Sequence, residues 1–567
     1  MRKLVLLGCL LTTTGLLFGQ TTKRNLRPGD IYRLQTIGNP QISPDGNWVA
    51  YTLTSTDSAK DKRNTDIWMI SWNGDQSVQL TNSPDGESNH RWSPDGKYLS
   101  FTAARQGGAS QVWLLDRRGG EAIKLTDVKG ELDDYEWSPD GKKLALLIKD
   151  PLDTGSKSKV PKPYVINRYR FKRDVSGYLY ESRNTHLYLF DIASKKLDTL
   201  TRGAYNESDI QWSPDGSKIA FVSNQTEDPD KNSNSDIWLI DAKAGAQPRR
   251  FTSWLGSDHS PQWSPDGKSI AYLRSTSDAN YLMYDQNILC VADVSGGEVR
   301  LLSKNLDRPV YSPRWSKEGK SVVVLVADDL QRYIASYDVA TGNMQVINRG
   351  NRSFTSIAAH PKNGWLVTMS EPQLPSELYA VEHDNLRRLT TIQNAFVDSL
   401  SLASVEKFVS KSKDGTSVSG LLFLPPNAPK EKLPLLFYIH GGPVGQDEFN
   451  FDLTRQMLAA NGYAVAAVNY RGSNGRGLAY TKAIYADWGN KEVMDILGAA
   501  DYLVAKGVAD PARLGIGGWS YGGILTNYTI AKDTRFKVAS SGAGSALQLS
   551  LYGVDQYILQ LDNELGQ

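Results

Sequence analysis

The stretch Trp92-Ser93-Pro94-Asp95-Gly96-Lys97-Tyr98-Leu99-Ser100-Phe101 decides the architecture of most of this chain, because copies of it recur at regular intervals. In each copy, proline sets φ, aspartate bonds its own backbone and glycine accepts a positive φ, so the motif predicts a tight turn leading into an apolar strand. Intact Ser-Pro-Asp-Gly copies begin at Ser43, Ser93, Ser138, Ser213 and Ser264, and degenerate copies begin at Ser316 and His360.

Two further elements accompany each turn and complete a repeating unit. A strand of the Asp66-Ile67-Trp68 type follows each turn, and a closing element such as Gln79-Leu80-Thr81 comes after it. Four strands per unit at a period of about fifty residues are typical of one propeller blade. Seven units predict a seven-bladed β-propeller over residues 24–395. Eight of the 14 tryptophans occupy equivalent repeat positions, which indicates core packing and not ligand binding.

One interval is longer than the others. Between the third and fourth turns it stretches to 75 residues, counted from Ser138 to Ser213, and the extra segment at 150–183 is rich in lysine and arginine. The simpler interpretation is a solvated surface hairpin. The alternative is a loop that leans over the central channel or the second domain and touches substrate, since long loops in compact folds are often functional.

Composition excludes several classes of protein. The 567 residues exceed what one core usually supports, and an apolar content of 40% with a charged content of 22% is ordinary for a globular protein. A net charge of +2 does not indicate the strongly basic surface that binding of nucleic acid requires.

Residues 1–20 combine Arg2 and Lys3 with a short apolar run, which predicts a cleaved signal peptide, with a retained anchor as the rival interpretation.

Removal of that leader would leave Cys290 as the sole cysteine, so neither an internal disulfide nor a cysteine-based zinc site is expected. We therefore expect export to a bacterial periplasm, with no integral membrane segment after cleavage. No metal and no cofactor is expected, and the sequence does not define an oligomeric state.

Beyond about residue 395 the repeat gives way to alternating strands and helices. An apolar strand at Arg513–Gly517 enters Gly518-Trp519-Ser520-Tyr521-Gly522-Gly523, and a helix follows. A strand that runs into G-x-S-x-G and out into a helix is typical of the nucleophile elbow of α/β-hydrolases. His440-Gly441-Gly442-Pro443 follows another buried strand, as the oxyanion loop of such enzymes does, although a purely structural glycine turn is the alternative.

These motifs, together with Asn469-Tyr470-Arg471-Gly472-Ser473, resemble the prolyl oligopeptidase family of serine peptidases, and His-Gly-Gly-Pro is closest to its acylaminoacyl-peptidase-like branch. The resemblance covers nearly the whole mature chain. It implies that Ser520 is the nucleophile, that Gly442 and Tyr521 form the oxyanion hole, and that Trp519 shapes the wall beside the nucleophile. It also implies a propeller that restricts substrates to short peptides.

The expected triad is incomplete. In this fold the acid and the histidine follow the serine along the chain, yet the last of the six histidines is His440. His440 is expected to be a positioning or substrate-binding residue on the oxyanion loop. We therefore expect residues 396–567 to be an α/β-hydrolase domain truncated before its catalytic Asp and His, so that the 567 residues alone are inactive.

Two other functions remain open, an esterase on the same elbow and a propeller scaffold with a silent hydrolase domain, since the repeats also resemble TolB-type scaffolds. Peptide specificity stays undefined among acylaminoacyl, dipeptidyl and endo-oligopeptidase activity. The chain lacks the Glu-Glu pair with which dipeptidyl peptidases of this family hold an amine. Asp133-Asp134 is a possible substitute, although a solvated loop is the favoured interpretation. An acylaminoacyl or oligopeptidase activity is therefore preferred.

Overall fold

The computed structural model describes residues 23–151, 165–179, 183–277, 283–362, 364–383, 385–426 and 428–565, with the side chain of residue 106 left aside. The expected leader at 1–20 lies outside these residues, as do positions 152–164 and 180–182 of the basic insertion. Two structural units share the described chain. One is built only of antiparallel blades, and the other is a mixed sheet flanked by helices.

Seven blades of four strands follow one another along the chain. Blades 1 to 3 contain β1 (Thr36–Ile42), β2 (Trp48–Asp57), β3 (Lys62–Ser71), β4 (Ser77–Gln79); β5 (Ser88–Trp92), β6 (Tyr98–Ala103), β7 (Gln111–Asp116), β8 (Ile123–Lys124); and β9 (Glu131–Trp137), β10 (Lys143–Lys149), β13 (Thr185–Asp191), β14 (Leu197–Thr199). The short hairpin β11 (Lys172–Arg173) and β12 (Gly177–Tyr178) belongs to the insertion. The predicted seven-bladed propeller is confirmed.

The remaining blades repeat the pattern. Blades 4 to 7 contain β15 (Glu207–Trp212), β16 (Lys218–Ser223), β17 (Asp236–Asp241), β18 (Arg249–Arg250); β19 (Asp258–Trp263), β20 (Ser269–Ser275), β21 (Asn287–Asp293), β22 (Arg300–Leu301); β23 (Val310–Trp315), β24 (Ser321–Asp328), β25 (Gln331–Asp338), β26 (Met344–Asn348); and β27 (Ser353–Ala359), β28 (Trp365–Glu371), β29 (Leu374–Glu382), β30 (Asn385–Arg388). Single 3-10 turns lie at Pro28–Arg33, Arg105–Gly107 and Pro229–Lys231.

The Ser-Pro-Asp-Gly turns are stabilised by their own side chains, as the sequence predicts. In the second copy the Ser93 hydroxyl donates to Asp95 at 2.6 Å, and Asp95 accepts the Lys97 amide at 3.0 Å. Ser93 Oγ accepts the Tyr98 amide at 2.9 Å, and Gly96 takes φ +68°. Each turn thus fixes the hairpin between the first and second strands of its blade.

The repeat tryptophans join neighbouring blades by hydrogen bonds as well as by packing. At four blade boundaries, the indole N–H of the tryptophan that ends the first strand of a blade donates to a backbone carbonyl of the preceding blade, whereas Trp137 of blade 3 donates to the Ser100 hydroxyl at 2.8 Å. The four pairs are Trp92 to Gln41 (3.1 Å), Trp212 to Glu136 (3.2 Å), Trp263 to Gln211 (3.2 Å) and Trp315 to Gln262 (2.8 Å). These tryptophans therefore have the structural role that the sequence predicts, and their hydrogen bonds link one blade to the next.

Blade 7 meets blade 1 through side chains. The Trp72 indole donates to Glu382 at 2.8 Å, and His360 Nε2 lies 2.9 Å from the Gly46 carbonyl. An apolar cluster that includes Tyr51 and Leu378 fills the junction. No described strand of one end of the propeller pairs with a blade at the other end, so side chains alone hold the ring closed here.

The second unit is a six-stranded sheet in the order β31-β32-β34-β33-β35-β36. Its strands are β31 (Ser404–Lys411), β32 (Ser417–Leu424), β33 (Leu433–Ile439), β34 (Ala464–Asn469), β35 (Ala509–Trp519) and β36 (Phe536–Gly542). The helices of the chain are α1 (Asn394–Val397), α2 (Leu453–Ala460), α3 (Leu478–Thr481), α4 (Lys491–Ala505), α5 (Tyr521–Lys532), α6 (Gln548–Leu551) and α7 (Ile558–Leu565), with a 3-10 turn at Lys482–Ile484. β33, β34, β35 and β36 run parallel, as expected for an α/β-hydrolase.

The segment at 24–34 departs from the expected division of the chain. It falls within the range expected for the propeller, yet the Arg24 amide donates to Ser399 O at 3.0 Å, and the Ser401 amide donates to Arg24 O at 2.8 Å. Leu26 is fully buried against Leu400 and other residues of the hydrolase half. The propeller strands begin at Thr36, after this segment.

The two units contact each other through one face of the propeller. Arg332 forms an ion pair with Glu448 at 2.9 Å, and Asp307 accepts the Leu478 amide at 2.8 Å. Lys482 donates to Ser277 at 2.7 Å. The propeller residues lie where strands begin or where second and third strands are joined, opposite the Ser-Pro-Asp-Gly turns. None of the helices in the described chain is long and apolar enough to cross a membrane.

Candidate active site

Ser520 occupies the turn between β35 and α5 in a backbone conformation that few residues adopt. Its φ is +56° and its ψ is −123°, and its amide donates to Gly542 O at 2.9 Å. A non-glycine residue held at such angles is strained and is frequently functional. The side chain is exposed, and its hydroxyl has no hydrogen-bond partner among the described residues. The turn therefore presents Oγ to a substrate.

Three glycines make this turn possible. A Cβ on Gly518 would lie 2.5 Å from the Ile439 carbonyl oxygen, and one on Gly522 would lie 2.2 Å from the same atom. A Cβ on Gly523 would lie 2.5 Å from Gly542 O. The elbow thus packs backbone to backbone against the ends of β33 and β36, and no side chain fits between them.

The His-Gly-Gly-Pro loop lies directly against the nucleophile. A Cβ on Gly441 would stand 2.9 Å from Trp519 O and 3.1 Å from the Ser520 Cβ. Gly442 has φ +132°, and its amide makes no backbone hydrogen bond to a described residue. Tyr521 is the first residue of α5, so its amide has no partner within the helix. The loop and the elbow thus bring two available N–H groups to the same end of the sheet.

His440 holds the loop in place. Its Nδ1 lies 2.8 Å from Gly441 O and its Nε2 lies 2.9 Å from the Ser473 hydroxyl. The first contact requires a proton on Nδ1, so Nε2 accepts from Ser473 in the neutral ring. The ring stacks on Tyr470 with centroids 4.6 Å apart, and burial lowers the pKa of His440. Both nitrogens are therefore engaged away from Ser520.

Tyr521 is anchored beneath the elbow by a buried acid. Its hydroxyl donates to Glu492 at 2.9 Å, and its ring meets the edge of Trp488 at 5.1 Å. Burial raises the pKa of Glu492 above its ordinary value, and burial likewise raises the pKa of Tyr521. The Tyr521 side chain fixes the first turn of α5, and with it the position of the Tyr521 amide.

The other histidines lie in the propeller. They are His90, His186, His259, His360 and His383. Each belongs to a blade or to a turn between strands, and His186, for example, pairs with Glu207 at 3.0 Å. The structure thus brings Ser520, Gly442, Tyr521 and His440 together but places no described histidine in position to act as a base.

Trp519 lies beside the nucleophile, whereas Asp133 and Asp134 lie in the propeller. Trp519 is 66% exposed, and a Cβ on Gly542 would lie 2.5 Å from its ring, so Trp519 forms a wall on the β36 side of Ser520. Asp133 and Asp134 lie on the innermost strand β9 and not on a solvated loop, which corrects the favoured interpretation. Asp134 pairs with Arg91 at 3.0 Å, and Asp133 accepts from Thr185.

A cavity of about 300 Å³ adjoins the oxyanion loop at Val444. Asn474 also lines it from the hydrolase half, and Ser277, Asp285 and Tyr311 line it from blades 5 and 6. Its walls are largely polar. It gives room for part of a short peptide between the two units.

Sequence reasoning missed most of the groups that support the site. Tyr470 and Ser473 belong to the stretch 469–473, which indicates a family resemblance but no role for either side chain, and the structure shows both in contact with His440. In the same stretch Arg471 pairs with Asp495 at 2.7 Å, and both are buried. Glu492 and Trp488 carry no local signal, because their role depends on α4 packing against α5.

Comparison with family sequence profiles supports both units. The profile of the TolB beta propeller domain matches residues 33–158 and 173–398. The profile of the prolyl oligopeptidase family matches residues 449–563.

Similar proteins include an uncharacterized peptidase, YuxL, of Bacillus subtilis, which is 29% identical over 94% of this chain and 84% of its own length. Dipeptidyl-peptidase 5 of Porphyromonas gingivalis is 27% identical over 93% of this chain and 80% of its own length. Among solved structures, an acylaminoacyl peptidase of Pyrococcus horikoshii superposes with a TM-score of 0.80 at 21% identity, covering 95% of this chain and 82% of that one. A puromycin-hydrolyzing peptidase of Mycobacterium tuberculosis gives 0.71 at 19%, with 97% and 82% covered.

Proposed function

The chain belongs to the prolyl oligopeptidase family of peptidases, and we propose that it cleaves short peptides through an acyl-enzyme on Ser520. The observation that carries the proposal is the strained, exposed Ser520 with Gly441 packed against its Cβ. In this arrangement Oγ attacks the scissile carbonyl, and the Gly442 and Tyr521 amides bind the oxyanion as negative charge develops. The C–N bond then breaks, the amine product leaves with a proton, and water hydrolyses the resulting ester to release the acyl product and restore the Ser520 hydroxyl.

The propeller supports a limit on substrate size. It covers the hydrolase unit with one face, and ion pairs such as Arg332–Glu448 hold the two together. The cavity between them has space for a peptide segment and not for a folded domain. The similarity to acylaminoacyl and dipeptidyl peptidases is consistent with short substrates. We propose that intact proteins are excluded.

No described histidine is placed to act as the base for Ser520. His440 is committed to Gly441 and Ser473, and the remaining histidines of the sequence lie in the propeller. We therefore propose that His440 does not take the proton of Ser520 and acts by positioning the oxyanion loop.

Ser520→Ala in the active protein tests the assignment. Labelling by a fluorophosphonate and hydrolysis of short peptides should both be lost, while Ser550→Ala, a change of another exposed serine, should leave both intact. Peptidase activity above a tenth of that of the wild type in Ser520→Ala would refute the proposal. Turnover of esters without turnover of peptides would favour an esterase, and absence of labelling in the wild type would favour a scaffold.

We also propose that the protein is exported, on the strength of the sequence at 1–20. Fractionation of the source cells, with detection of the mature N-terminus, tests this. Protein confined to the cytoplasm with its leader retained would refute it.

A further inference from the structure

The described part of the basic insertion bridges the propeller and the hydrolase unit. Lys172 donates to Val554 O at 2.9 Å, and Asp174 and Gln556 exchange hydrogen bonds at 2.9 and 3.1 Å. The interpretation of a loop that reaches the second domain thus agrees with these contacts, and a free surface hairpin does not. The hairpin β11–β12 forms the outer edge of a large opening between the units.

This opening leads into a cavity of about 1300 Å³. Blade 4 lines one wall through residues 228–235, and Gln556 and Tyr557 line another. Ser233 and Met283 line both this cavity and the smaller one beside Val444, so the two adjoin. A peptide bound at the oxyanion loop can therefore extend into the larger cavity.

The larger cavity is strongly cationic. Its basic lining residues are Arg168, Arg170, Lys172, Arg173 and Lys231, and its acidic lining residues are Asp228 and Asp230. Asp230 forms an ion pair with Arg168 at 2.5 Å, and Asp228 forms one with Lys231 at 3.1 Å. Both carboxylates of the lining are thus already neutralised.

Three of the lining cations have no carboxylate partner among the described residues. Arg170 is partly buried and donates to the Asn232 carbonyl at 3.0 Å, but it forms no ion pair within 4 Å among the described residues. Arg173 is exposed at the rim and likewise forms none within the described chain. Within the described ranges, Lys172 donates only to the Val554 carbonyl oxygen. Guanidinium groups bind carboxylates through charge-assisted, often bidentate hydrogen bonds.

We propose that this cavity, defined by Arg170, Lys172 and Arg173, binds a carboxylate of the peptide substrate. The inference rests on the proposed peptidase function and adds a substrate class, namely short peptides with a negative charge a few residues from the scissile bond. The carboxylate has two possible sources, the free C-terminus of the peptide or an acidic side chain. A negative group in a cationic cavity also accelerates association at low salt.

Four peptides of one cleavable sequence test the proposal on the active protein. They carry a free C-terminus, an amidated C-terminus, an amidated C-terminus with a glutamate near it, or both carboxylates. Relative to the neutral amide, kcat/KM should rise about tenfold for a carboxylate-bearing peptide, and Arg173→Gln and Arg170→Gln should each abolish this difference between the peptides. Arg118→Gln, which removes an equal charge from an exposed turn of blade 2, is the matched control.

Each result has a defined meaning. A preference for the free C-terminus alone identifies the α-carboxylate as the ligand, and an equal preference for the glutamate peptide identifies any carboxylate. Equal kcat/KM for all four peptides, or an equal loss on all four in the arginine variants, would overturn the proposal. Calorimetric titration of the Ser520→Ala protein with the same peptides reads the preference as Kd. It therefore separates a failure of this inference from a failure of the peptidase assignment.

Discussion

Trp212 is bound twice to Glu136 across the boundary between blades 3 and 4. Its amide donates to the Glu136 carboxylate at 3.0 Å, and its indole N–H donates to the Glu136 carbonyl at 3.2 Å. The next boundary repeats this geometry with an uncharged side chain, since the Trp263 amide donates to the Gln211 side chain at 2.9 Å. A carboxylate and an amide thus fill equivalent positions in consecutive blades.

Glu136→Gln should stabilise the propeller at neutral and higher pH. Burial raises the pKa of Glu136 to about 7, although nearby Arg91 lowers it. A carboxyl whose pKa is raised on folding stabilises fully below its unfolded value of about 4.5, and this contribution is lost as pH rises to about 7. The variant should gain on the order of 1 kcal/mol above pH 7 and lose that pH dependence. Thermal unfolding at pH 5 and pH 8 measures it, with Glu121→Gln on an exposed turn as control. An equal shift at both pH values would contradict the assignment.

Gly441→Ala should impair catalysis more than stability. The added Cβ would meet Trp519 O at 2.9 Å and the Ser520 Cβ at 3.1 Å, so the loop must move away from the nucleophile. A displaced oxyanion donor costs about a hundredfold in kcat. Steady-state kinetics on the active protein measures it. Gly29→Ala, where a Cβ meets nothing within 4 Å, is the matched control. Unchanged kcat in Gly441→Ala would contradict the expected contact between loop and nucleophile.

His440→Ala should reduce activity without altering the shape of the pH profile. The change removes the bonds to Gly441 and Ser473 and the stack on Tyr470, which loosens the loop, and we expect kcat/KM to fall about tenfold to a hundredfold. Because His440 is not placed to accept the Ser520 proton, the acid limb of the profile should remain. Its disappearance would identify His440 as the base. His383→Asn, in an exposed propeller turn, is the control.

Tyr521→Phe should destabilise the hydrolase unit. The change removes the hydroxyl that donates to buried Glu492 at 2.9 Å, and loss of a hydrogen bond to a buried group costs about 1–3 kcal/mol. The Tyr521 amide remains, so kcat should change less than in Gly441→Ala. Denaturant unfolding measures the loss, with Tyr502→Phe, on the partly exposed face of α4, as control. Equal midpoints for the two variants would show that the Glu492 contact contributes nothing.

The 567-residue chain expressed by itself should show uneven protection against hydrogen exchange. Among the described strands β36 has a neighbour on one side only, and Val538 on it is 62% exposed. An exposed sheet edge promotes local opening and association. We expect slow amides in the propeller blades and faster ones along β36. Equally slow exchange in both regions would contradict this, and Val538→Lys should reduce any association without affecting the blades.

The sequence predicted what local chemistry determines. The Ser-Pro-Asp-Gly turn carries its own stabilising hydrogen bonds, so the position of each hairpin could be predicted from four residues. Gly518 and Gly522 likewise predicted a turn that has no space for side chains. Contacts between segments that are distant in the chain have no comparable local signal in the sequence. The role of Glu492 depends on how α4 meets α5, and that of Asp134 depends on Arg91 in another blade. The packing of Leu26 against the hydrolase unit could not be predicted either, because the residues next to it in the sequence do not indicate this contact.

Because every blade is built from one continuous stretch of the chain, interrupted only by the β11–β12 hairpin in blade 3, the propeller can fold in the order in which it is synthesised. A blade needs no residue made after its own fourth strand, whereas the bond from Trp72 to Glu382 spans 310 residues and must wait for blade 7. Ring closure therefore comes last in the propeller, and Leu26 waits longer still for Leu400 and Ala460. Nascent chains arrested after Arg388 should be protease-resistant in their blades while the segment before Thr36 is still cut. During synthesis, the segment at 24–34 is therefore made early but is among the last described parts of the chain to reach its folded position.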